Sequence, residues 1–219
     1  MKRLKLHLFF ALASSVSITH AQYGYGGFGT GGGGGPRPII AINGGNVAGL
    51  KGVTTVNIIY DYSKLGVGAF RNEQDYLKKK EEDYKKDPAK FEKFKNGWFN
   101  ARKERFEPRF EEMFNKVGSK IGMTGKNYAT DGVVTLKIET LFIEPGYNIG
   151  ISKMPSFIDL ECTFLDKNGK EIVRYIVKNA TGQQAMGFDY DTGSRLVESY
   201  AKACKMLMKD VTKRLKKIK

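Results

Sequence analysis

Apolar and polar positions alternate with a period of two in three stretches of the last third of the chain. Val134, Leu136, Ile138 and Phe142 alternate with Thr135, Lys137, Glu139 and Leu141. Ile158, Leu160, Cys162 and Phe164 alternate with Asp159, Glu161 and Thr163. Val173, Tyr175 and Val177 alternate with Arg174, Ile176 and Lys178. Successive strand side chains point to opposite faces, so each stretch predicts a strand buried on one side. Downstream, Leu196, Tyr200, Ala203, Cys204, Leu207, Val211 and Leu215 recur at helical spacing. A sheet with one apolar face needs a cover, and this helix supplies the matching stripe.

Upstream, Val53 to Tyr62 reads as another strand, with Val56, Ile58 and Tyr60 on one face. A shorter strand and a turn occupy Ile39 to Gly52. Residues 73–122 are helical by composition and break at two prolines. Asp87-Pro88 offers a capping side chain followed by a first-turn proline, and Glu107-Pro108 predicts a kink or restart. The glycines from Gly122 to Gly125 weaken the end of this region. The expected fold is α+β in the order β-α-β-β-β-α: an antiparallel β-meander under a C-terminal helix, with an inserted charged helical region.

The beginning of the chain reads differently. Met1 to Lys5 is basic, Leu8 to Ile18 is an apolar run too short to span a bilayer, and Thr19-His20-Ala21 suits a cleavage site. This predicts a secretory signal peptide over 1–21, cut near Ala21, and an exported product, periplasmic or secreted. No cysteine follows the apolar run, which argues against a lipid anchor, and no later segment reads as transmembrane. Residues 22–38 are dominated by glycine and predict a flexible tail; 39–219 then form a single domain. Gly24, Gly26 and Gly29 match a dinucleotide-binding spacing but lack the strand and helix it requires.

The signal segment changes the chemical picture in two ways. Removing Lys2, Arg3 and Lys5 lowers the formal net charge from +14 to +11. Both histidines, His7 and His20, also lie within it. The remaining chain has no histidine, which excludes catalytic triads and dyads built on imidazole and any histidine metal site. Cys162 and Cys204 fall on predicted inward faces and form a disulfide candidate, suited to an exported protein. Closing that loop would contribute about 3–4 kcal/mol in the chain-entropy account. Two buried thiols acting as small apolar groups is the other reading.

Motif-like pieces have simpler explanations. Asp191-Thr192-Gly193-Ser194 resembles the catalytic signature of aspartic proteases, but one copy before an amphipathic stretch reads as a helix cap. Asp189-x-Asp191-x-Gly193 and Asp166-x-Asn168-Gly169 look like fragments of calcium loops, and neither completes the spacing. Asn168-Gly169 is a hairpin signal instead. The mixed Lys/Glu runs at 78–86 and 102–105 read as solvated helix faces. The aromatic series Trp98, Phe99, Phe106, Phe110 and Phe114 reads first as core, with a partner groove as the alternative. Glu144-Pro145-Gly146-Tyr147 suits a type II turn and opens a long connection reaching Lys153-Met154-Pro155. Long loops in compact domains often bind partners. The C-terminal Lys213, Arg214, Lys216, Lys217 and Lys219 form a cluster without an acid. It suits a helix C-terminus or an anionic surface.

The order of elements from Val133 to Leu215, with the turn at Pro145-Gly146, the hairpin at Asn168-Gly169 and the helix from Ser194, resembles small α/β domains of bacterial envelope proteins of the LpoB, TolB N-terminal and transporter-auxiliary kind. The resemblance is topological and transfers no functional residue. It implies a protein that binds proteins or glycans in the envelope and is not an enzyme. The expectation is therefore a non-enzymatic envelope protein without a cofactor or metal, contacting a protein or glycan through Pro145, Gly146, Tyr147 and Lys153. The alternative is a basic protein associating through Lys213, Arg214, Lys216 and Lys217 with lipopolysaccharide or anionic lipid. A carboxylate hydrolase using Asp189, Asp191 or Glu144 is the third reading. A nucleic-acid partner is not expected.

Overall fold

The computed structural model describes residues 36–148, 153–182 and 192–218, with backbone only at Asn148, Lys153 and Thr192. The expected signal peptide, nearly all of the glycine-rich tail, Asp189, Asp191 and Lys219 lie outside the described residues.

A seven-stranded mixed sheet forms the frame. Its strands are β1 (Ile39–Gly45), β2 (Thr55–Asp61), β3 (Gly66–Val67), β4 (Thr124–Asn127), β5 (Val134–Glu144), β8 (Phe157–Leu165) and β9 (Glu171–Thr181), in the spatial order β1-β9-β8-β5-β2-β4, with β3 pairing β5. β6 (Tyr147–Asn148) and β7 (Lys153–Met154) make a separate two-stranded ribbon. The expected antiparallel meander is β5, β8 and β9. To it the structure adds β1 as an antiparallel edge and a parallel half, where β2 pairs both β5 and β4.

Helices α1 (Glu73–Asp83), α2 (Pro88–Ala101) and α3 (Glu107–Gly118) fill the crossover from β2, and α4 (Thr192–Leu215) follows β9. Asp87 caps α2 by accepting from the Lys90 N–H at 3.1 Å, with Pro88 in the first turn. The break at Pro108 takes a different form from a restart. Residues Arg102–Phe106 make one wide π turn, and the Glu107 N–H reaches back five residues to the Arg102 carbonyl. Proline has no N–H to donate and its ring crowds the carbonyl four residues earlier, so the helix widens there and continues.

The core lies between one sheet face and helices α3 and α4. Ile58, Leu136, Ile138, Leu160, Cys162, Phe164, Val173, Tyr175 and Val177 are fully buried and meet Tyr200, Cys204, Leu207 and Val211 of α4. Phe106 stacks on Tyr200, with ring centroids 5.0 Å apart and planes 9° from parallel. One alternation fails. A bulge between Thr140 and Phe142 shifts the register, so Phe142 leaves the inner row and Ile143 enters it. Thr140 keeps an inward position because its hydroxyl lies 2.9 Å from Tyr200 Oη.

The short β3, β6 and β7 fall in stretches read as loops, and β4 also was not predicted. β4 is short and polar, and it is held by a side chain: Asn115 of α3 accepts from the Gly125 N–H at 2.7 Å and donates to the Gly125 carbonyl at 3.0 Å. A Cβ at Gly125 would sit 2.7 Å from both Ile58 and Phe114, so only glycine permits this approach.

The opposite sheet face has no described helix packed on it and carries charge. Asp61, Glu139 and Glu161 stand side by side on β2, β5 and β8. Lys137 answers this row at 3.0 Å from Asp61 and 3.2 Å from Glu139, Lys64 lies 2.9 Å from Glu139, and Arg174 lies 4.0 Å from Glu161. Cys162 and Cys204, the disulfide candidate, are free thiols with no solvent exposure. Burial pushes both thiols well above the ordinary range.

Candidate functional site

Three surfaces gather candidate side chains, and α4 touches or carries two of them. The first is the expected turn. Gly146 has φ +67°, the left-handed backbone its place in the turn requires, and a Cβ there would meet the Met154 carbonyl at 2.5 Å. The Gly146 N–H donates to Glu144 Oε1 at 3.0 Å. Arg195, near the start of α4, reaches the Pro145 carbonyl at 3.4 Å. The ribbon β6–β7 extends from this base, with Tyr147 opposite Met154 and 42% exposed. Thus Pro145, Gly146 and Tyr147 belong to one small projection, and the Lys153 backbone pairs with it; the Lys153 side chain lies outside the described residues.

The second surface is the far end of α4. Lys213, Lys216 and Lys217 are exposed, and Arg214 is exposed with its Nε 2.5 Å from Asp210 Oδ2. Arg195 and Lys213 are eighteen positions apart on one helix, roughly 27 Å. The two contact surfaces expected from the sequence therefore lie toward opposite ends of α4 and do not form one site. The cluster also extends further back than expected: Lys202, Lys205 and Lys209 are exposed on the same helix. Their three- and four-residue spacing, opposite the apolar stripe, was readable in the sequence.

The third surface was not predicted. A concavity of about 390 Å³ is lined by Tyr62, Ser63, Asn72, Glu73, Gln74 and Arg102, with Leu65 behind them. It lies beyond the C-terminal end of β2, where the π turn sets Arg102. Glu73 Oε1 accepts from Trp98 Nε1 at 2.5 Å and from Arg102 Nη2. The Arg102 guanidinium lies 4.2 Å from the Tyr62 ring centroid and 5.0 Å from that of Phe99. Phe99 is 37% exposed, whereas Trp98, Phe106, Phe110 and Phe114 are buried. The aromatic series is thus core, with one ring left at the surface. These residues come from three separate elements, and no local pattern links them.

Beneath the concavity sits Glu107, only 2% exposed. Its carboxylate accepts from Tyr128 Oη at 2.8 Å and Tyr62 Oη at 3.4 Å, with Lys103 Nζ 3.2 Å away. Lys103 also lies 3.5 Å from the centroid of the Tyr128 ring. Burial raises the Tyr62 hydroxyl far above its usual range, with Tyr200 and Glu107 adding to the shift. Tyr62 is therefore a donor here and not a source of phenolate.

One motif fragment resolves as a turn, and the Asp189-x-Asp191 pair lies outside the described residues. Asp166 Oδ1 accepts from the Asn168 and Lys170 N–H groups at 2.8 and 2.9 Å, which closes the hairpin. α4 begins at Thr192, within the protease-like signature. No group of three or more His, Cys, Asp or Glu side chains among the described residues could hold a metal ion. No described helix is long and apolar enough to cross a membrane.

No protein-family model matches the chain. No curated protein matches it either. Among solved structures it is similar to a variant of the PelC dodecamer from Paraburkholderia phytofirmans, at 9% identity and TM-score 0.37, covering 76% of this chain and 97% of that one. It is similar to a Helicobacter pylori protein described as a neuraminyllactose-binding hemagglutinin homolog, at 12% identity and TM-score 0.31, covering 75% and 89%. A DUF330 protein from Xanthomonas campestris gives 9% identity and TM-score 0.30, covering 74% and 83%. Scores this low do not establish a shared fold, so function rests on the residues of this chain.

Proposed function

We propose that the protein is a non-enzymatic, exported protein of a bacterial cell envelope that binds a neutral glycan in the concavity between β2, α1 and the π turn. The observation that carries this reading is the Glu73–Arg102 pair, set between the Tyr62 and Phe99 rings. The two charges lining the concavity neutralise each other, so it favours no ionic ligand. Ser63, Asn72 and Gln74 supply uncharged donors and acceptors for hydroxyl groups. The exposed Phe99 ring is outside the lining but lies 5.0 Å from the Arg102 guanidinium, and offers an apolar platform beside it for the C–H face of a sugar. Trp98 holds Glu73, and Glu73 holds Arg102, so little order is lost on binding. The volume lies within the ordinary range for small-ligand sites.

Saturation-transfer NMR with maltotriose, cellotriose, chitotriose and lactose tests the reading. Transfer to at least one sugar, abolished by Phe99→Ala and by Gln74→Ala at unchanged melting temperature, is the expected result. Transfer to none, or transfer that survives both substitutions, overturns it.

A protein partner at the ribbon is the second reading, favoured by the exposed Tyr147 on its pinned turn. A photo-crosslinking residue at position 147 should give a discrete adduct in envelopes, and one at exposed Lys167 should not. Equal labelling from both positions removes this reading.

A further inference from the structure

We infer that the solvent face of α4 docks on an anionic phospholipid bilayer. The inference does not rest on the glycan reading. From Tyr200 onward, every exposed residue of the described helix and its last turn is a cation. Lys202, Lys205, Lys209, Lys213 and Lys216 fall within an arc of about 80°, at about 100° per residue, directly opposite the buried stripe. Lys217 borders that arc. The row runs about 21 Å along the axis. α3 lies alongside in the same direction, with Arg109 3.2 Å from Glu198 and Gly118 beside Met208. It and the turn that follows it add exposed Lys116 and Lys120 next to the same end.

The acids of α4 do not offset this charge. Glu198 pairs with Arg109 and Asp210 with Arg214. Among the described residues, none of the six lysines is in an ion pair, although Lys205, Lys209, Lys213 and Lys217 repeat at the four-residue spacing where like charges repel. An opposing surface of negative charge removes that repulsion.

The chemistry of the face selects the occupant. Protein interfaces are anchored by buried aromatic and apolar side chains. Among the described residues the large exposed apolar ones are Ile39, Phe99, Tyr128, Val133 and Tyr147, and none is on α4. Lysine is a flexible point charge without the planar fork that reads bases or single phosphates. A long row of such charges with no large exposed apolar anchor among the described residues matches a plane of lipid phosphates, where each cation near the surface contributes separately.

Cosedimentation of the full chain with vesicles tests this. Vesicles with 30% phosphatidylglycerol in phosphatidylcholine should bind it, pure phosphatidylcholine should not, and binding should fall steeply with salt. Reversing two charges on the face, Lys205→Glu with Lys209→Glu, should weaken binding at least about tenfold. Lys78→Glu with Lys79→Glu on α1 changes net charge equally and should weaken it less than about twofold. All four positions are exposed, so matching thermal melts control for folding. Equal loss in both variants, absence of binding to phosphatidylglycerol, or binding only to lipopolysaccharide-containing vesicles overturns the proposal.

Discussion

The α1–α2 pair and α4 carry their charges in opposite ways. On α1 and α2 the exposed positions mix signs, and four of the six cations are engaged locally. Lys79 pairs with Asp83 at 2.7 Å, and Lys95 lies near Glu92 and over the Phe91 ring. Lys80 and Lys90 lie over the Tyr76 and Tyr84 rings. These helices bury few side chains, and their surface charges help to hold them. On α4 beyond Tyr200 the exposed charge has one sign and, apart from Arg214 with Asp210, no ion pair among the described residues, while the opposite face is buried. A helix held by its core tolerates self-repulsion on its surface, and so can present a surface suited to another molecule. A lightly buried helix cannot.

Substitutions can break this comparison. The largest effect is expected in the α4 core: Tyr200→Ala removes the stack on Phe106 and the contact with Thr140, at about 3–5 kcal/mol in urea unfolding. Phe94→Ala on α2, where the ring is half-buried, should cost about 1–2 kcal/mol. Equal costs would show that the two regions are held alike. Glu107→Ala should cost about 1–2 kcal/mol by the same measurement, because it removes the acceptor of the Tyr62 and Tyr128 hydroxyls and the partner of Lys103, while exposed Tyr128 and Lys103 can turn to water. A smaller effect separates the surfaces by sign. Lys205→Gln with Lys209→Gln and Lys213→Gln should raise the melting temperature at low salt and flatten its salt dependence, whereas Lys79→Gln should not raise it.

The smallest expected effect concerns the bare sheet face. Hydrogen bonds from the Ser63 backbone and hydroxyl, with Lys137 beside it, lower the Asp61 carboxyl from 3.8 to about 2. A depressed carboxyl adds stability above its unfolded value and loses it as pH falls through the folded one. Stability should therefore drop between about pH 4 and pH 2, and Asp61→Asn should flatten that drop in urea midpoints taken at pH 6 and pH 3. Burial raises Asp159, so it acts in the opposite direction, adding stability as pH falls.

The strands of the meander and the stripe of α4 were legible because burial on one face imprints its period on the sequence. Asp87-Pro88 was legible because capping is local. β4 was not, because its four residues are polar and its place depends on Asn115 and on the missing side chain of Gly125. The outward turn of Phe142 was hidden for a related reason: a bulge is set by pairing with β8 and leaves no mark in composition. The lysine row was partly read, since its C-terminal members cluster in sequence and its earlier members are separated by core residues. The concavity was out of reach. Tyr62, Glu73 and Arg102 meet only through the crossover, and the π turn that sets Arg102 follows from the steric demand of Pro108.

The two free thiols have a kinetic consequence. Neither Cys162 nor Cys204 has any exposed surface, and both sit between the central strands and α4. A thiol reagent can reach them only when that interface opens, and the largest interface of a domain usually opens last. Where reclosing is slow beside the chemistry, alkylation proceeds at the opening rate; where it is fast, alkylation reports the open population. Cys162 and Cys204 therefore act as internal clocks for unfolding, read by mass and requiring no label. Slower alkylation in the presence of vesicles would measure how much a bound surface steadies α4.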